Sequence, residues 1–126
     1  MNDDAEIRNM VSLYAQCLDG NDPDAFVDLF TEDGHFVSRT NEHSGRDALR
    51  QFVQRTWANR GGKQSRRMSG NVVVRIVGDT AHATSDNVVF EKDGEAGWRV
   101  SAVSRYVDTL VRRDDKWLFR EKRVER

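Results

Sequence analysis

The feature that most constrains this chain is a series of long strand-forming stretches that fills its second half. The pattern of β-branched and aromatic residues predicts strands over residues 66–77, 80–92, 97–113 and 116–124. The turn signals between them are Gly78-Asp79, Asp93-Gly94 and Asp114-Asp115. Because strands joined by tight turns pair antiparallel, we expect this half to form one antiparallel meander.

The first half instead carries the three- and four-residue spacing of apolar side chains that is typical of amphipathic helices. A first helix is predicted to end near Gly20, a second to follow the N-cap Asp22, and a third to lie over residues 44–62. A short strand is predicted over residues 35–37. Three helices followed by a meander predict an α+β domain, with the helices packed on one face of a curved sheet.

Composition narrows the class of protein. A chain of 126 residues predicts one domain, 1–126, and a third of the residues are charged, as in globular proteins. The formal net charge of −1 offers no general attraction to nucleic acid, so no nucleic-acid partner is expected. No apolar run approaches the ~18 residues of a membrane span, so no membrane association is expected.

Cysteine and histidine usage points to a cytoplasmic protein without a metal. Cys17 is the only cysteine, so no disulfide can form within the chain, and a reducing compartment is expected. His35, His43 and His82 are scattered without the spacing of a ligand set, so no metal site is expected.

One polar row in the first long strand raises the functional question. Arg67, Ser69 and Asn71 alternate along this strand, opposite an apolar row that includes Val74 and Ile76. Hydrophobicity favours the apolar row as core. The polar row faces either water or a hollow between the sheet and the helices that needs polar groups.

Four stretches point to a family: "IRNMVSLYAQCLDGNDPDAFVDLFTEDGHFV", "GRDALRQFV", "GNVVVRIVGDTAHATS" and "SRYVDTLVRRDDKWLFREKRVE". In this order they resemble the SnoaL-like branch of the nuclear-transport-factor-two-like superfamily, over nearly the whole chain. The resemblance implies a cone-shaped barrel, in which a curved antiparallel sheet wraps around three N-terminal helices and a deep pocket. It also implies a homodimer, which we expect to form through the outer sheet face, and no cofactor.

The resemblance further implies which side chains surround the pocket. They are Phe36, Trp57, Arg67, Asn71, Asn87, Val89, Ala102, Ser104, Tyr106 and Lys122. For some of them, ordinary chemistry offers an alternative. Exposure to solvent is expected for Lys122, because buried lysines are rare. The side-chain amides of Asn71 and Asn87 are equally suited to satisfy buried backbone groups.

The resemblance also implies candidate catalytic residues. Dehydratase-like relatives place a tyrosine and an aspartate where this chain has Tyr14 and Asp19, and dehydrochlorinase-like relatives place the aspartate nearer Asp22. Their histidine corresponds to Arg67, which cannot act as a general base. The His-Asp mechanism of these relatives is therefore not expected here, and Arg67 is suited to bind an anionic group instead.

Each candidate also has a structural explanation. Tyr14 fits a core aromatic, and Asp22 before Pro23 fits an N-cap. Asp19 lies near a helix C-terminus, where the dipole disfavours an anion, so either a cationic partner or simple exposure must account for it.

Two functions remain open at this point, and a third is less favoured. The first is a cofactor-independent lyase, isomerase or cyclase that acts on a mid-sized apolar substrate with an oxygen function. The second is a non-catalytic module that binds a small molecule. The third is a structural subunit like the β chains of aromatic-ring dioxygenases.

Overall fold

The fold combines three helices with one six-stranded sheet. The computed structural model describes residues 2–126. The helices are α1 (Asp3–Asp19), α2 (Pro23–Val27) and α3 (Arg46–Asn59), and a single 3-10 turn lies at Gly94–Ala96. The strands are β1 (Phe30–Val37), β2 (Glu42–Ser44), β3 (Gln64–Val77), β4 (Thr80–Lys92), β5 (Trp98–Arg113) and β6 (Lys116–Glu125).

The strands follow the order β2-β1-β6-β5-β4-β3 in the sheet. The predicted antiparallel meander is confirmed for β3 to β6. Strand β1 joins it by pairing parallel to β6, with Phe36 opposite Lys122, so the sheet is mixed at this position rather than antiparallel throughout. The three-residue strand β2, which pairs antiparallel with β1, was not predicted because it is too short to show an alternation.

The helices begin where the sequence provides caps. The Asn2 side chain accepts a hydrogen bond from the Ala5 amide at 3.1 Å, and Asp22 accepts one from the Ala25 amide at 3.2 Å. This confirms that Asp22 is an N-cap. The apolar face of α1 and the inner face of the sheet share one core, in which Tyr14 and Phe119 are almost fully buried.

A β-bulge in β3 redirects the polar row. Gly70 pairs with Asp86 and Val73 pairs with Thr84, so two residues, 71 and 72, lie opposite one residue of β4. Asn71 has a φ of 50° at this position. The extra residue reverses the alternation, so Arg67 stays on the inner face while Asn71 is exposed. The placement of Asn71 around the pocket was therefore wrong.

Among residues 2–126, no helix combines the length and the apolar character needed to cross a bilayer.

A close approach at Gly34 in β1 generates a stability prediction. A Cβ atom at this residue would lie 2.7 Å from the Phe30 Cβ and 3.0 Å from the Thr31 carbonyl oxygen. We expect Gly34→Ala to lower the free energy of unfolding by about 1–3 kcal/mol, because backbone and core atoms must move to relieve the overlap. Urea denaturation measures this.

Gly70→Ala is the matched control, since it also lies in a strand beside a bulge but would meet no atom within 4 Å. We expect this variant to stay within about 0.5 kcal/mol of the wild type. Equal losses in both variants would contradict the steric explanation.

Candidate functional site

A cavity of about 170 Å³ lies between the helical layer and the inner face of the sheet, and we refer to it as the central cavity. Strands β4 and β5 send alternate side chains into it and β3 contributes Arg67, which places polar and apolar groups around one space. Of the predicted site residues, those that line it are Tyr14, Phe36, Arg67, Asn87, Val89, Ala102, Ser104 and Tyr106.

Arg67 reaches this cavity while its guanidinium is anchored to Asp19. The Arg67 Nη1 donates a short hydrogen bond to Asp19 Oδ1, and the Arg67 amide donates to Asp19 Oδ2 at 2.7 Å. The Ser65 hydroxyl donates to Oδ1 at 3.3 Å. The Asp19 side chain is 8% exposed and that of Arg67 is 14% exposed. Such a charge-assisted pair fixes the orientation of the guanidinium.

A second arginine explains how a carboxylate is tolerated at the C-terminus of α1. Arg60, from the end of α3, donates to the Asp19 carbonyl at 2.7 Å and to the Leu18 carbonyl at 2.8 Å. It therefore caps the free carbonyls of α1 and brings positive charge to the negative end of the helix dipole. Burial, followed by repulsion from Arg67, lowers the pKa of Arg60, and Asp19 opposes this shift.

Asp19 does not line the central cavity, although it was predicted to move a proton there. Its two oxygens already accept from a guanidinium, a backbone amide and a hydroxyl. This geometry suits an anchor for Arg67 and a joint between elements, rather than a base that must reach a substrate.

Two tyrosines form one wall of the central cavity. Tyr14 and Tyr106 pack edge to face with ring centroids 5.6 Å apart, and both are at most 3% exposed. Burial raises the pKa of Tyr106 to about 12, although the nearby Arg67 guanidinium opposes the shift. Burial, followed by the charge of Tyr106, raises the pKa of Tyr14 well above its usual range. Both hydroxyls therefore stay protonated and can donate hydrogen bonds at neutral pH.

Asn87 adds an amide to the same wall. It is 1% exposed, and its Oδ1 accepts from the Ser69 hydroxyl at 3.4 Å. The amide nitrogen thereby remains as a donor toward the central cavity. Together with Arg67, the two tyrosines and the Ser104 hydroxyl, it contributes to a lining with several hydrogen-bond donors.

Lys122 lies behind the tyrosines, fully buried. Its Nζ donates to Asp108 Oδ2 at 3.0 Å and lies 4.2 Å and 4.1 Å from the ring centroids of Tyr14 and Tyr106. Burial lowers the pKa of Lys122 and raises the pKa of Asp108, and each partner opposes the shift of the other. The expectation that Lys122 is exposed was wrong, because a carboxylate and aromatic faces replace its water shell.

Two further predicted residues lie outside the central cavity. Asp22 caps α2 and does not line the cavity. Trp57, expected to point inward from α3, is 49% exposed and lines a different cavity. The reason is the helical phase of α3: Leu49 and Val53 form its buried face, the half-buried Thr56 continues that face, and Trp57 lies to one side of it.

Sequence reasoning missed Asp108 and Arg60. Asp108 occupies the same inward row of β5 as Tyr106 and Leu110, and this alternation was a signal that could have found it. Arg60 sits at the predicted end of α3 beside Gly61-Gly62, where nothing in the sequence pairs it with α1. Only the tertiary structure reveals that contact.

The central cavity is rich in donors and poor in bases. Among residues 2–126, no carboxylate or imidazole side chain lines it. The arrangement can therefore bind and stabilise negative charge on a ligand oxygen, while a proton acceptor must come from solvent or from the ligand itself.

Comparisons with known proteins agree with this architecture. Residues 1–123 match the family model of the SnoaL-like domain. A protein of unknown function from Mycobacterium tuberculosis is 25% identical to this chain, with a TM-score of 0.87. The match covers 96% of this chain and 69% of the Mycobacterium tuberculosis protein. An NTF2-like protein with a cystatin-like fold from Novosphingobium aromaticivorans is also 25% identical with a TM-score of 0.87, covering 97% and 80%.

A third solved structure, a proposed scytalone dehydratase from Novosphingobium aromaticivorans, is 22% identical with a TM-score of 0.80. The match covers 95% of this chain and 80% of that one, and at this identity it shows the shared fold alone. Comparison by sequence with curated proteins found no match.

The burial of both tyrosines predicts an unusual alkaline titration. The chain has only two tyrosines, so Tyr14→Phe leaves Tyr106 as the sole source of tyrosinate absorbance. In the folded variant we expect this absorbance to appear with a pKa of about 12, whereas the urea-unfolded chain should titrate near 10. Because the unfolded state loses its proton first, stability should fall as pH rises from 10 toward 12. Titration of the folded variant near pH 10 would show that the Tyr106 hydroxyl lies in water.

Proposed function

The chain belongs to the SnoaL-like domain family, and on that premise we propose that it is a small cofactor-independent isomerase, cyclase or lyase. Its substrate is a mid-sized apolar molecule with an enolisable carbonyl group. The observation that carries this proposal is the convergence of Tyr14, Tyr106, Arg67 and Asn87 on one cavity whose lining also includes apolar side chains.

The apolar part of the lining supports the substrate class. Phe36, Val89 and Ala102 bring only hydrocarbon surface to the central cavity, and Phe52 stacks on Phe36 with ring centroids 4.4 Å apart. An aromatic or alicyclic ring packs favourably on such surfaces. The polar groups then select for an oxygen function on that ring.

The proposed chemistry is enolisation with electrophilic assistance. A C–H bond next to the carbonyl breaks, its proton passes to water, and the electron pair moves to the carbonyl oxygen. Hydrogen bonds from Tyr14, Tyr106 and Arg67 stabilise the resulting enolate oxygen, which is where charge develops. Return of a proton to a different carbon completes an isomerisation, and attack of the enolate carbon on a second carbonyl closes a ring.

Arg67 takes a fixed electrostatic part in this scheme. Asp19 holds the guanidinium in place, so little reorganisation is needed when charge appears on the substrate. Water serves as proton acceptor, consistent with a cavity lining that contains no carboxylate or imidazole side chain among residues 2–126.

The same absence of a base favours a second candidate function. A module that binds an oxygenated apolar molecule without transforming it needs the same apolar walls and the same donors, and needs no proton acceptor. The two functions differ in whether the bound ligand exchanges its α-protons.

Proton exchange tests the proposal directly. In D₂O, we expect the protein to accelerate loss of the α-proton NMR signal of 2-tetralone, an apolar enolisable ketone. Removal of one donor from an oxyanion site typically costs 10²–10³ in rate. Arg67→Met and Tyr14→Phe should each therefore slow the exchange by about 10²-fold or more.

Arg66→Met is the matched control, because this neighbouring arginine is exposed and does not line the central cavity. It should exchange at the wild-type rate. If 2-tetralone binds, loses affinity in Arg67→Met and never exchanges faster than in buffer, the protein is a binding module and the enzymatic proposal is wrong.

We also propose a homodimer formed through the outer face of the sheet. Met68, Val88 and Val103 lie opposite one another across β3, β4 and β5, and their side chains share this face. Met68 is 64% exposed and Val103 is 63% exposed. Such an apolar patch is more extensive than the single exposed side chains of ordinary surfaces and suits a second copy of the chain.

We also propose a reducing cytoplasmic location for the protein, since Cys17 has no disulfide partner in the chain.

Sedimentation velocity tests the dimer. We expect a dimer for the wild type and a monomer for Val103→Asp, because a charge within the patch would be desolvated on association. Lys116→Asp, a charge change at the exposed first residue of β6, should remain dimeric. Val103→Asp that sediments as a dimer would place the interface elsewhere.

A further inference from the structure

A second cavity, which we call the lateral cavity, lies beside the C-terminal ends of α1 and α3. Its volume is about 290 Å³, and no residue that lines it also lines the central cavity. Its walls come from Asp19 and Gly20 of the α1 end, Trp57 and Arg60 of α3, and residues 62–66 at the start of β3. The function proposed above makes no use of this space.

The lateral cavity carries an excess of positive charge. Arg60, Lys63 and Arg66 line it, against the single carboxylate of Asp19. That carboxylate is already matched, since Arg67 binds it and the Arg60 guanidinium lies 3.8 Å away. The cationic groups of Lys63 and Arg66 therefore remain for an anionic ligand.

Lys63 and Arg66 make few and weak contacts with other groups of the protein. Arg66 is exposed and donates one hydrogen bond, at 3.0 Å, to the Ser65 carbonyl, which leaves further N–H groups of its planar fork. Lys63 has a contact of 3.8 Å with Asp93, and both side chains are well exposed. Exposed pairs of this kind contribute little and are readily exchanged for another anion.

Trp57 gives the lateral cavity an aromatic wall. Its side chain is 49% exposed, although tryptophan is among the largest apolar side chains and α3 has a buried face nearby. The Arg60 guanidinium carbon lies 5.0 Å from the ring centroid and holds the indole in place through a cation–π contact. An exposed indole beside the cations of Lys63 and Arg66 is suited to stack a flat ring that carries a negative charge.

We propose that the lateral cavity binds a planar aromatic carboxylate, with its ring against Trp57 and its carboxylate between Arg66 and Lys63. This is a binding site separate from the central cavity, and it does not depend on the enolisation chemistry proposed there. A carboxylate matches the two parallel N–H groups of an arginine, and a flat ring matches the indole.

The three indole N–H signals in a ¹⁵N-correlated NMR spectrum test this proposal, because the chain contains three tryptophans. Trp57→Phe identifies the Trp57 signal, and Trp98 and Trp117, which line neither cavity, serve as internal references. We expect 1-naphthoate to shift the Trp57 signal in a saturable manner, and its neutral analogue 1-naphthalenemethanol to shift it at least tenfold more weakly at equal concentration.

Arg66→Gln should weaken 1-naphthoate binding at least fivefold. The matched control is Arg75→Gln, an exposed arginine of the same strand that lies outside the lateral cavity, and it should bind as the wild type does. Both positions are exposed, so neither substitution is expected to disturb the fold.

Three outcomes would overturn the proposal: no shift of Trp57 with 1-naphthoate, equal shifts with the neutral alcohol, or equal weakening by Arg66→Gln and Arg75→Gln. None of them bears on the proton-exchange experiment, so the two proposals fail separately.

Discussion

The Asp19 carboxylate connects the C-terminal end of α1 to the start of β3 and to the end of α3. It binds the guanidinium and amide of Arg67 at the start of β3, and Arg60 from the end of α3 donates to the Asp19 backbone carbonyl and lies close to the carboxylate. Three elements that are distant in sequence thus meet at one buried charge. Each charge there is compensated, which is the condition under which ionic groups are tolerated inside a protein.

The ion pairs around Asp19 affect both the central cavity and the lateral cavity. Because Asp19 fixes Arg67, the guanidinium projects into the central cavity as a donor with a defined direction. Because Asp19 takes up part of the positive charge of Arg60 as well, the lateral cavity is left with Lys63 and Arg66 as its available cations. The two cavities share no lining residue, yet the Asp19–Arg67 ion pair joins a lining residue of one to a lining residue of the other.

The donor-rich, base-poor lining of the central cavity also follows from packing. Tyr14 and Tyr106 are buried against each other and against the Lys122–Asp108 pair, which keeps their hydroxyls protonated and their rings in fixed orientations. Breaking the buried Lys122–Asp108 ion pair would be costly, because the ammonium would lose its carboxylate and its contacts with the aromatic faces. The pair therefore favours a single arrangement of the two tyrosines. Such preorganisation is what stabilisation of an enolate oxygen requires.

The sequence predicted many of the residues that line the central cavity, but it failed at particular positions. The family resemblance implied that Asn87, Ala102, Ser104 and Tyr106 surround a pocket, and they line the central cavity because β4 and β5 keep their period of two through this region. The same expectation failed for Asn71, because the bulge adds one residue and no sequence signal marks the position where the alternation reverses.

Local sequence determined the element types, the N-cap at Asp22 and the antiparallel meander, because caps, turns and apolar periodicity depend on near neighbours along the chain. The family followed from the resemblance of four stretches of sequence. Only the tertiary structure decided that β1 pairs parallel to β6, that Lys122 is buried against Asp108, and that Arg60 and Arg67 bind Asp19. The physical reason is that these ion pairs and strand neighbours join residues 14 or more positions apart. Their free energy depends on burial and distance, which a one-dimensional pattern does not contain.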